Sequence, residues 1–288
     1  MTVAVGFFDG VHLGHQAILK GADCALTFEN HPLEFLDPAR APRLIMSWED
    51  RARAIMALGV RVTALDFDAD LAGWPPERFL AFLADFATAQ GRRASEPLAV
   101  RCGANWRFGR GGAGDAAWLR RQGVDVTVVP YAHYRGEPVS STRVRRALAA
   151  GAVADAAAML GRPYVVRGRT VAGKGLGRTL GFPTVNLVPD GDPARFVAPP
   201  LGVYAVELDG VRGVANYGCA PTLGERAWPA PVWEVHFLDP ADPGARVRRD
   251  SERLAFSVRR FIRPERKFAS LDELKAQIAA DAREAARA

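Results

Sequence analysis

Val3-Ala4-Val5-Gly6-Phe7-Phe8-Asp9-Gly10-Val11-His12-Leu13-Gly14-His15 is the stretch that decides the fold. Residues 3–7 form a short apolar run, which reads as a buried strand. Asp9-Gly10 marks a turn, and residues 14–20 carry a short helical pattern. Cys24-Ala25-Leu26-Thr27-Phe28 is a second strand-like run. Strand, glycine turn, helix and strand in quick succession imply a parallel sheet covered on both faces.

Outward from this unit the alternation continues. Ser47 is a helix N-cap, with Asp50 three residues on in place of the usual Glu, and Gly59 ends that helix. Residues 60–67 are strand-like, and Pro75-Pro76 open a helix over 77–86. Residues 98–102, 115–122 and 124–129 read as strand, helix and strand. Ligands of such sheets sit at the carboxyl ends of the strands. After two further helices, 140–148 and 152–160, the style changes at Gly161-Arg162-Pro163. Residues 164–170, 202–208, 213–217, 232–238 and 253–263 are β-type runs between Gly/Pro/Asp turns, the pattern of an antiparallel barrel, and a helical tail begins at Leu271. The domains are therefore expected at 1–160 and 161–288.

The 288 residues suit two domains, and 49% hydrophobic with 24% charged residues excludes general disorder. No apolar stretch reaches the roughly 18 residues of a membrane-spanning helix. The first residues lack the basic and apolar segments of a secretory signal, and the three scattered cysteines suit a reducing cytoplasm, the expected location, with no membrane partner. Cys24, Cys102 and Cys219 form no CxxC pair, and with the five His they show no zinc-ligand spacing. The net charge is +6, and only four of the 38 basic residues are Lys. An Arg-for-Lys bias of the whole chain explains that total better than an appetite for polyanions. No Lys/Arg tract is interleaved with aromatics, so no nucleic-acid partner is expected. Arg246–Arg249 and Arg259–Arg263 are read as solvated strand edges.

Three segments carry chemistry. H-x-G-H at residues 12–15 places two imidazoles at a strand–helix junction, where backbone N–H groups and the helix dipole favour an anion. Gly14 would let a phosphate approach the backbone. The chemistry suggested is attack on a nucleotide α-phosphate, with His12 and His15 stabilising the charge in flight. A metal site is the rival, but no third ligand is evident. Ser140-Ser141-Thr142-Arg143-Val144-Arg145 caps a helix, and its arginines oppose the helix dipole unless an anion is bound. Asn105-Trp106-Arg107-Phe108-Gly109 follows a strand and is a weaker candidate for a nucleotide pocket. Residues 173–186, GKGLGRTLGFPTVN, are no Walker A loop, yet their glycines suit a mobile phosphate-wrapping loop. Thr184 and Asn186 alternate to one side of the strand that follows and offer oxygen ligands for Mg²⁺. Glu234 lies in an apolar strand and is either ion-paired, with one of the many arginines, or catalytic.

Together these motifs resemble the bacterial bifunctional riboflavin kinase/FMN adenylyltransferase family over essentially the whole chain. The anchors are FDGVHLGH at 8–15, SSTRVR at 140–145, GRTLGFPTVN at 177–186 and WEVHFLD at 233–239. The resemblance implies an α/β Rossmann-like nucleotidylyltransferase domain followed by a six-stranded antiparallel β-barrel kinase domain with a terminal helix. It implies riboflavin, FMN and ATP as substrates, FAD as product, and Mg²⁺ as cofactor. Carried over, His12 and His15 serve adenylyl transfer. Gly6, Phe8, Asp9, Gly14 and Asn105 contact ATP there, and Ser141, Thr142 and Arg143 bind pyrophosphate. In the kinase, Gly173, Lys174, Gly175, Gly177, Arg178, Gly181 and Pro183 bind phosphates. Thr184 and Asn186 hold Mg²⁺, and Glu234 is the base. The chain departs from the family in a shortened segment between His15 and Thr27, in Asn30 for the usual Pro, and in Gly112 for a common Arg. Two rival readings are a kinase with a weakened adenylyltransferase, and a flavin-responsive or nucleic-acid-binding regulator on the same folds. A monomer or weak oligomer is expected.

Overall fold

The structure is a computed structural model that describes residues 1–93, 95–173, 176–219, 230–238 and 253–287. It divides into two compact units, Met1–Arg143 and Val144–Ala288.

In the first unit, β1 (Thr2–Val5), α1 (Leu13–Leu19), β2 (Cys24–Phe28), α2 (Pro32–Leu36), α3 (Trp48–Met56) and β3 (Arg61–Leu65) come first. They are followed by α4 (Ala69–Ala72), α5 (Pro76–Ala89), β4 (Ala99–Gly103), α6 (Ala116–Arg121) and β5 (Asp125–Val129). A two-stranded hairpin, β6 (His133–Tyr134) and β7 (Glu137–Pro138), completes it. The five long strands are parallel in the order β3-β2-β1-β4-β5. Chain direction across the sheet reverses between β1 and β4, and α/β sheets bind ligands at such a switch point. Both faces are covered. Val3, Val5, Leu26 and Val100 pack with Leu83 and Leu119 on one side. Ala4 and Ala25 pack with Ile18, Leu19 and Ile55 on the other.

The short crossover expected after His15 is present as a seven-residue α1, only about 10 Å long at 1.5 Å per residue. Its last turn is held by Arg101 of β4, which donates to the carbonyls of Ile18 at 2.9 Å and Ala17 at 3.1 Å. A cation on the orphan carbonyls of a helix C-terminus steadies a helix too short to be stable alone. Ser47 caps α3 as expected, accepting from Asp50 N–H.

Helix α7 (Ser141–Ala149) crosses the division between the units. The second unit continues with α8 (Val153–Leu160), β8 (Tyr164–Val171), α9 (Leu176–Thr179), β9 (Val185–Pro189), β10 (Gly202–Leu208), β11 (Val211–Gly218), β12 (Val232–Phe237), β13 (Arg253–Pro264) and α10 (Leu271–Ala285). Six strands close into a barrel in the order β10-β11-β12-β9-β8-β13. Its pairs are antiparallel. Trp233, Tyr204, Phe256, Leu187 and Val235 fill the interior. Val153 of α8 joins this core, so the helix before Gly161 packs with the barrel.

Two expectations change. The segment 173–181 is not loop throughout, since 176–179 form a helical turn. Strand β13 is no edge, because it pairs with β10 and β8. Its arginines are ion-paired instead: Arg259 with Glu207, Arg260 with Glu284 and Arg263 with Asp281. The cluster 246–249 lies outside the described residues.

Candidate active sites

In the first unit the chemistry gathers at the carboxyl end of β1. The turn after it is strained: Phe8 and Val11 have φ of 58° and 41°. Non-glycine residues cost about 1–3 kcal/mol each in that region, and a β-branched one is a clear outlier. Val11 N–H closes the turn on Phe8 O at 2.9 Å. Phe8 and Asp9 are buried, and the Asp9 carboxylate takes the Ile45 N–H at 3.0 Å.

His12 caps α1, its Nδ1 accepting from His15 N–H at 3.3 Å. An accepting Nδ1 places the proton of the neutral ring on Nε2. The two imidazoles stack with centroids 3.6 Å apart, and Phe8 lies edge-on to His15. The space that Gly14 was expected to keep for a phosphate goes partly to the His12 ring, which a Cβ there would meet at 3.2 Å. Ser141 Oγ donates to Asp9 O at 3.0 Å, which brings the second motif to the same turn. Asn105 is exposed beyond β4, the strand across the switch point. Thr142 is exposed at the start of α7.

Arg143 corrects a sequence argument. It was expected to need an anion, but its guanidinium donates to the carbonyls of Glu137, Pro138 and Tyr134 and pairs with Glu137 at 3.2 Å. The hairpin supplies the negative ends.

Arg51 was missed altogether. It is 1% exposed and donates to the carbonyls of Phe7 at 3.0 Å, Glu29 at 3.0 Å and Phe28. Its guanidinium also lies 4.1 Å from the Phe7 ring centroid. Burial pulls its pKa down to about 10 against the fields of Asp9, Glu29 and Glu34, so it remains a cation at neutral pH. It stitches the carboxyl ends of β1 and β2 together. The available signal was its place four residues before Ile55 on the buried face of α3.

In the second unit the candidates line the outside of the barrel. Val185, Leu187, Ala215, Tyr217, Trp233 and Val235 point inward, so Asn186, Asn216 and Glu234 point outward. Glu234 pairs in register with Asn186 on one side and Asn216 on the other, giving the row Asn186–Glu234–Asn216. Asn186 is buried, and its Oδ1 has no partner among the described residues. Thr184 is two residues away on the same side. A Cβ on Gly173 would collide with Asn186 Nδ2, and one on Gly177 would meet Thr184 Oγ1 at 3.0 Å, so the loop lies directly on this row. Gly181 has φ of 87°, and Phe182 N–H donates to Gly177 O at 2.7 Å. Pro183 O is bonded to His236 Nδ1 at 2.9 Å, fixing the entry to β9. Lys174 and Gly175 lie outside the described residues, as does Asp239.

The ion pair considered for Glu234 is not found among the described residues. Burial, and secondarily the charge of Glu265, push its carboxyl above the usual carboxylate range. An acid held in a dry site without a cation is suited to taking a proton.

Residues 1–143 match the FAD synthetase family and residues 160–288 the riboflavin kinase family, Flavokinase. The bifunctional riboflavin kinase/FMN adenylyltransferase of Escherichia coli (strain K12) is 38% identical over 97% of this chain and 90% of its own length. The Bacillus subtilis (strain 168) protein of that name is 32% identical, over 99% of this chain and 92% of its own. A solved structure, described as a macrolide-efflux protein from Streptococcus pneumoniae, is similar with a TM-score of 0.81 and 29% identity, covering 99% of this chain and 93% of that one. No helix among the described residues here is long and apolar enough to cross a membrane. Matches to both families in sequence order, and identity sustained over nearly the whole chain, place this protein in the bifunctional riboflavin kinase/FMN adenylyltransferase family.

Proposed function

We propose that the chain makes flavin cofactors in two ATP-dependent steps, phosphorylating riboflavin to FMN and adenylylating FMN to FAD with release of pyrophosphate. Residues 1–160 are assigned to adenylyl transfer and 161–288 to the kinase. The observation that carries this reading is that the chemistry-bearing residues fall into two separate sets, one at the end of β1 and one on the outer face of the barrel.

In adenylyl transfer the nucleophile is the FMN phosphate, already an anion, so no base is needed. His12 and His15 donate hydrogen bonds as charge grows on the α-phosphate. Gly6, Phe8, Asp9 and Gly14 hold ATP through the backbone, with Asn105 at its phosphates. Ser141, Thr142 and Arg143 receive the pyrophosphate, Arg143 by exchanging its contact with the exposed Glu137.

In the kinase, Glu234 takes the proton of the riboflavin 5′-hydroxyl as that oxygen attacks the γ-phosphorus and the bond to the β,γ-bridging oxygen breaks, releasing ADP. Gly173, Lys174, Gly175, Gly177, Arg178, Gly181 and Pro183 form the phosphate loop. Thr184 and Asn186 would hold Mg²⁺, and the unpartnered, buried Asn186 Oδ1 fits a hard cation. When bound, Mg²⁺ supplies neutralising charge to the nucleotide phosphates. We place the enzyme in the cytoplasm as a monomer or weak oligomer, without nucleic-acid or membrane partners.

The test is to incubate the purified full chain with riboflavin, ATP and Mg²⁺ and separate the flavins chromatographically. FMN and FAD are expected. FMN alone would mark the adenylyltransferase as inactive, and no product would refute the reading.

A further inference from the structure

Helix α1 carries both imidazoles at its first turn and is only seven residues long. A helix leaves its last four carbonyls without donors of its own. In α1 the chain that follows answers two of them. Lys20 N–H donates to Gln16 O at 2.9 Å, and Ala22 N–H donates to Leu19 O at 3.0 Å. The two between, Ala17 O and Ile18 O, are taken by the guanidinium of Arg101 at 3.1 and 2.9 Å. Arg101 is half-buried in β4 and stands in register with Ala4 of β1. Ala4 packs with Ile18 and Leu19, whereas Val100 and Cys102 pack with Leu83 and Leu119 on the opposite face. Arg101 therefore rises from the sheet beneath α1, out of the strand across the switch point.

The same turn of α1 approaches the Asn105 loop. The point where a Cβ on Gly103 would stand lies 3.5 Å from Ile18 Cδ1 and 3.5 Å from Asn105 Oδ1. Ile18 thus reaches β4 twice, through its carbonyl at Arg101 and through its side chain above Gly103, beside Asn105. Backbone pairing fixes β1 against β4, but it does not fix α1 against either. Ile18 and Leu19 are the buried residues of α1, and two side chains oppose sliding along the sheet only weakly. Two bonds from one planar guanidinium set both the height and the rotation of the last turn. A short, rigid helix carries that setting to His12 and His15 at its other end. Groups that act on a transferring phosphoryl centre must be placed to within about 0.5 Å, and a displacement of about 1 Å costs on the order of 10²-fold in rate.

We propose that Arg101 is a positioning residue for adenylyl transfer, locking α1 to β4 so that His12 and His15 stand at a set distance from Asn105. The proposal rests on the adenylyl-transfer reading above. It gives the shortened segment after His15 a substitute for the buried side chains that a longer helix would bring. Arg101 acts on the chemistry only through α1, at the end of the helix remote from the imidazoles.

The test uses the full chain with supplied FMN and ATP, at a temperature where melting curves show each variant folded. Arg101→Met removes both donors and keeps an unbranched apolar stem. It should lower kcat for FMN adenylylation roughly 10- to 100-fold, the loss expected from groups displaced by about 1 Å or less, with KM for FMN held within about twofold. Arg101→Lys keeps the charge without the planar fork, so it should recover part of the loss. Riboflavin phosphorylation should match the parent in both. The deciding measurement is a double-mutant cycle with His15→Ala. With that imidazole gone, Arg101→Met should cost at least about fivefold less than it does in the parent, because residues that act through one another are not additive. Equal losses in the two backgrounds, a loss carried by KM alone, or an unchanged kcat would overturn the positioning role while leaving adenylyl transfer standing. If Arg101→Met does not stay folded, the same cycle is run on Arg101→Lys and read in the same way. A parent protein that forms no FAD from FMN would overturn the adenylyl-transfer reading and this role with it.

Discussion

Arg51→Met offers a quantitative test of how the adenylyl-transfer turn is held. Methionine keeps an unbranched apolar stem but removes every donor, and with them the cation that lies over the Phe7 and Trp48 rings. The carbonyls of Phe7, Phe28 and Glu29 then lose the guanidinium bonds. Asp9, 1% exposed, loses the favourable field of that cation. Removing one partner from a buried charged network costs about 3–5 kcal/mol. Relief of the guanidinium's own burial, visible as its lowered pKa, sets the lower end. For a unit of this size about 1 kcal/mol moves the melting point by roughly 3–5 °C, so the expected fall is about 10–20 °C. The assay heats one sample of the full chain in steps, cools it, and measures both half-reactions. FMN adenylylation should be lost about 10–20 °C earlier than in the parent, while riboflavin phosphorylation is lost at the parent temperature. Arg51→Lys should fall between, because an ammonium lacks the planar fork that reaches three carbonyls. If Arg51→Met inactivates both activities together, or shifts neither, the role given to Arg51 is wrong.

Further predictions concern the two sites. His15→Ala should lower FMN adenylylation by about 10²-fold or more, since one preorganised donor is lost, and leave riboflavin phosphorylation unchanged in the chromatographic assay. Glu234→Gln should do the reverse, lowering phosphorylation about 10²- to 10⁴-fold while supplied FMN is still adenylylated. The same variant has a stability signature. Glu234 holds its proton more tightly folded than unfolded, so its contribution is favourable at low pH and is lost as pH rises from the ordinary carboxylate range through the raised folded value. Denaturant unfolding with chelator present should show Glu234→Gln gaining on the parent across that window and holding the gain above it. Gly14→Ala presses a Cβ to 3.2 Å from the His12 ring, so it should slow adenylyl transfer without moving the KM for riboflavin in the kinase assay.

The parts of the fold that were legible depend on neighbours in sequence. Cys24–Phe28 and Gly202–Leu208 are strands over the same residues that read as apolar runs, and Ser47 caps its helix as its side chain predicts. Glu234 was legible as an acid out of place, but its register partners, Asn186 and Asn216, follow only from barrel closure. Asn216 gave the same kind of signal, a polar residue between the core residues Ala215 and Tyr217, and was passed over. Asn30 looked like a mere departure from the family. Its side chain takes Phe67 N–H at 2.8 Å and donates to Phe67 O at 2.9 Å, doing by side chain what strand pairing does by backbone.

Arg51 and Arg143 show why the rest was hidden. Each sits near the start of a helix, and the local rule treats both alike, as cations opposing a dipole. The structure gives both the same solution, which the rule does not contain: a fan of backbone carbonyls. Arg51 draws on residues 22 and 44 positions away, and Arg143 on residues 6 and 9 positions away. Arg143's partners lie within reach of a hairpin reading. Arg51's exist only once β1 and β2 are side by side. A buried arginine that spans two strand ends couples the sheet register to the turn that aims His12 and His15. Moving that register would move both imidazoles, and no residue inside the H-x-G-H motif reports the dependence.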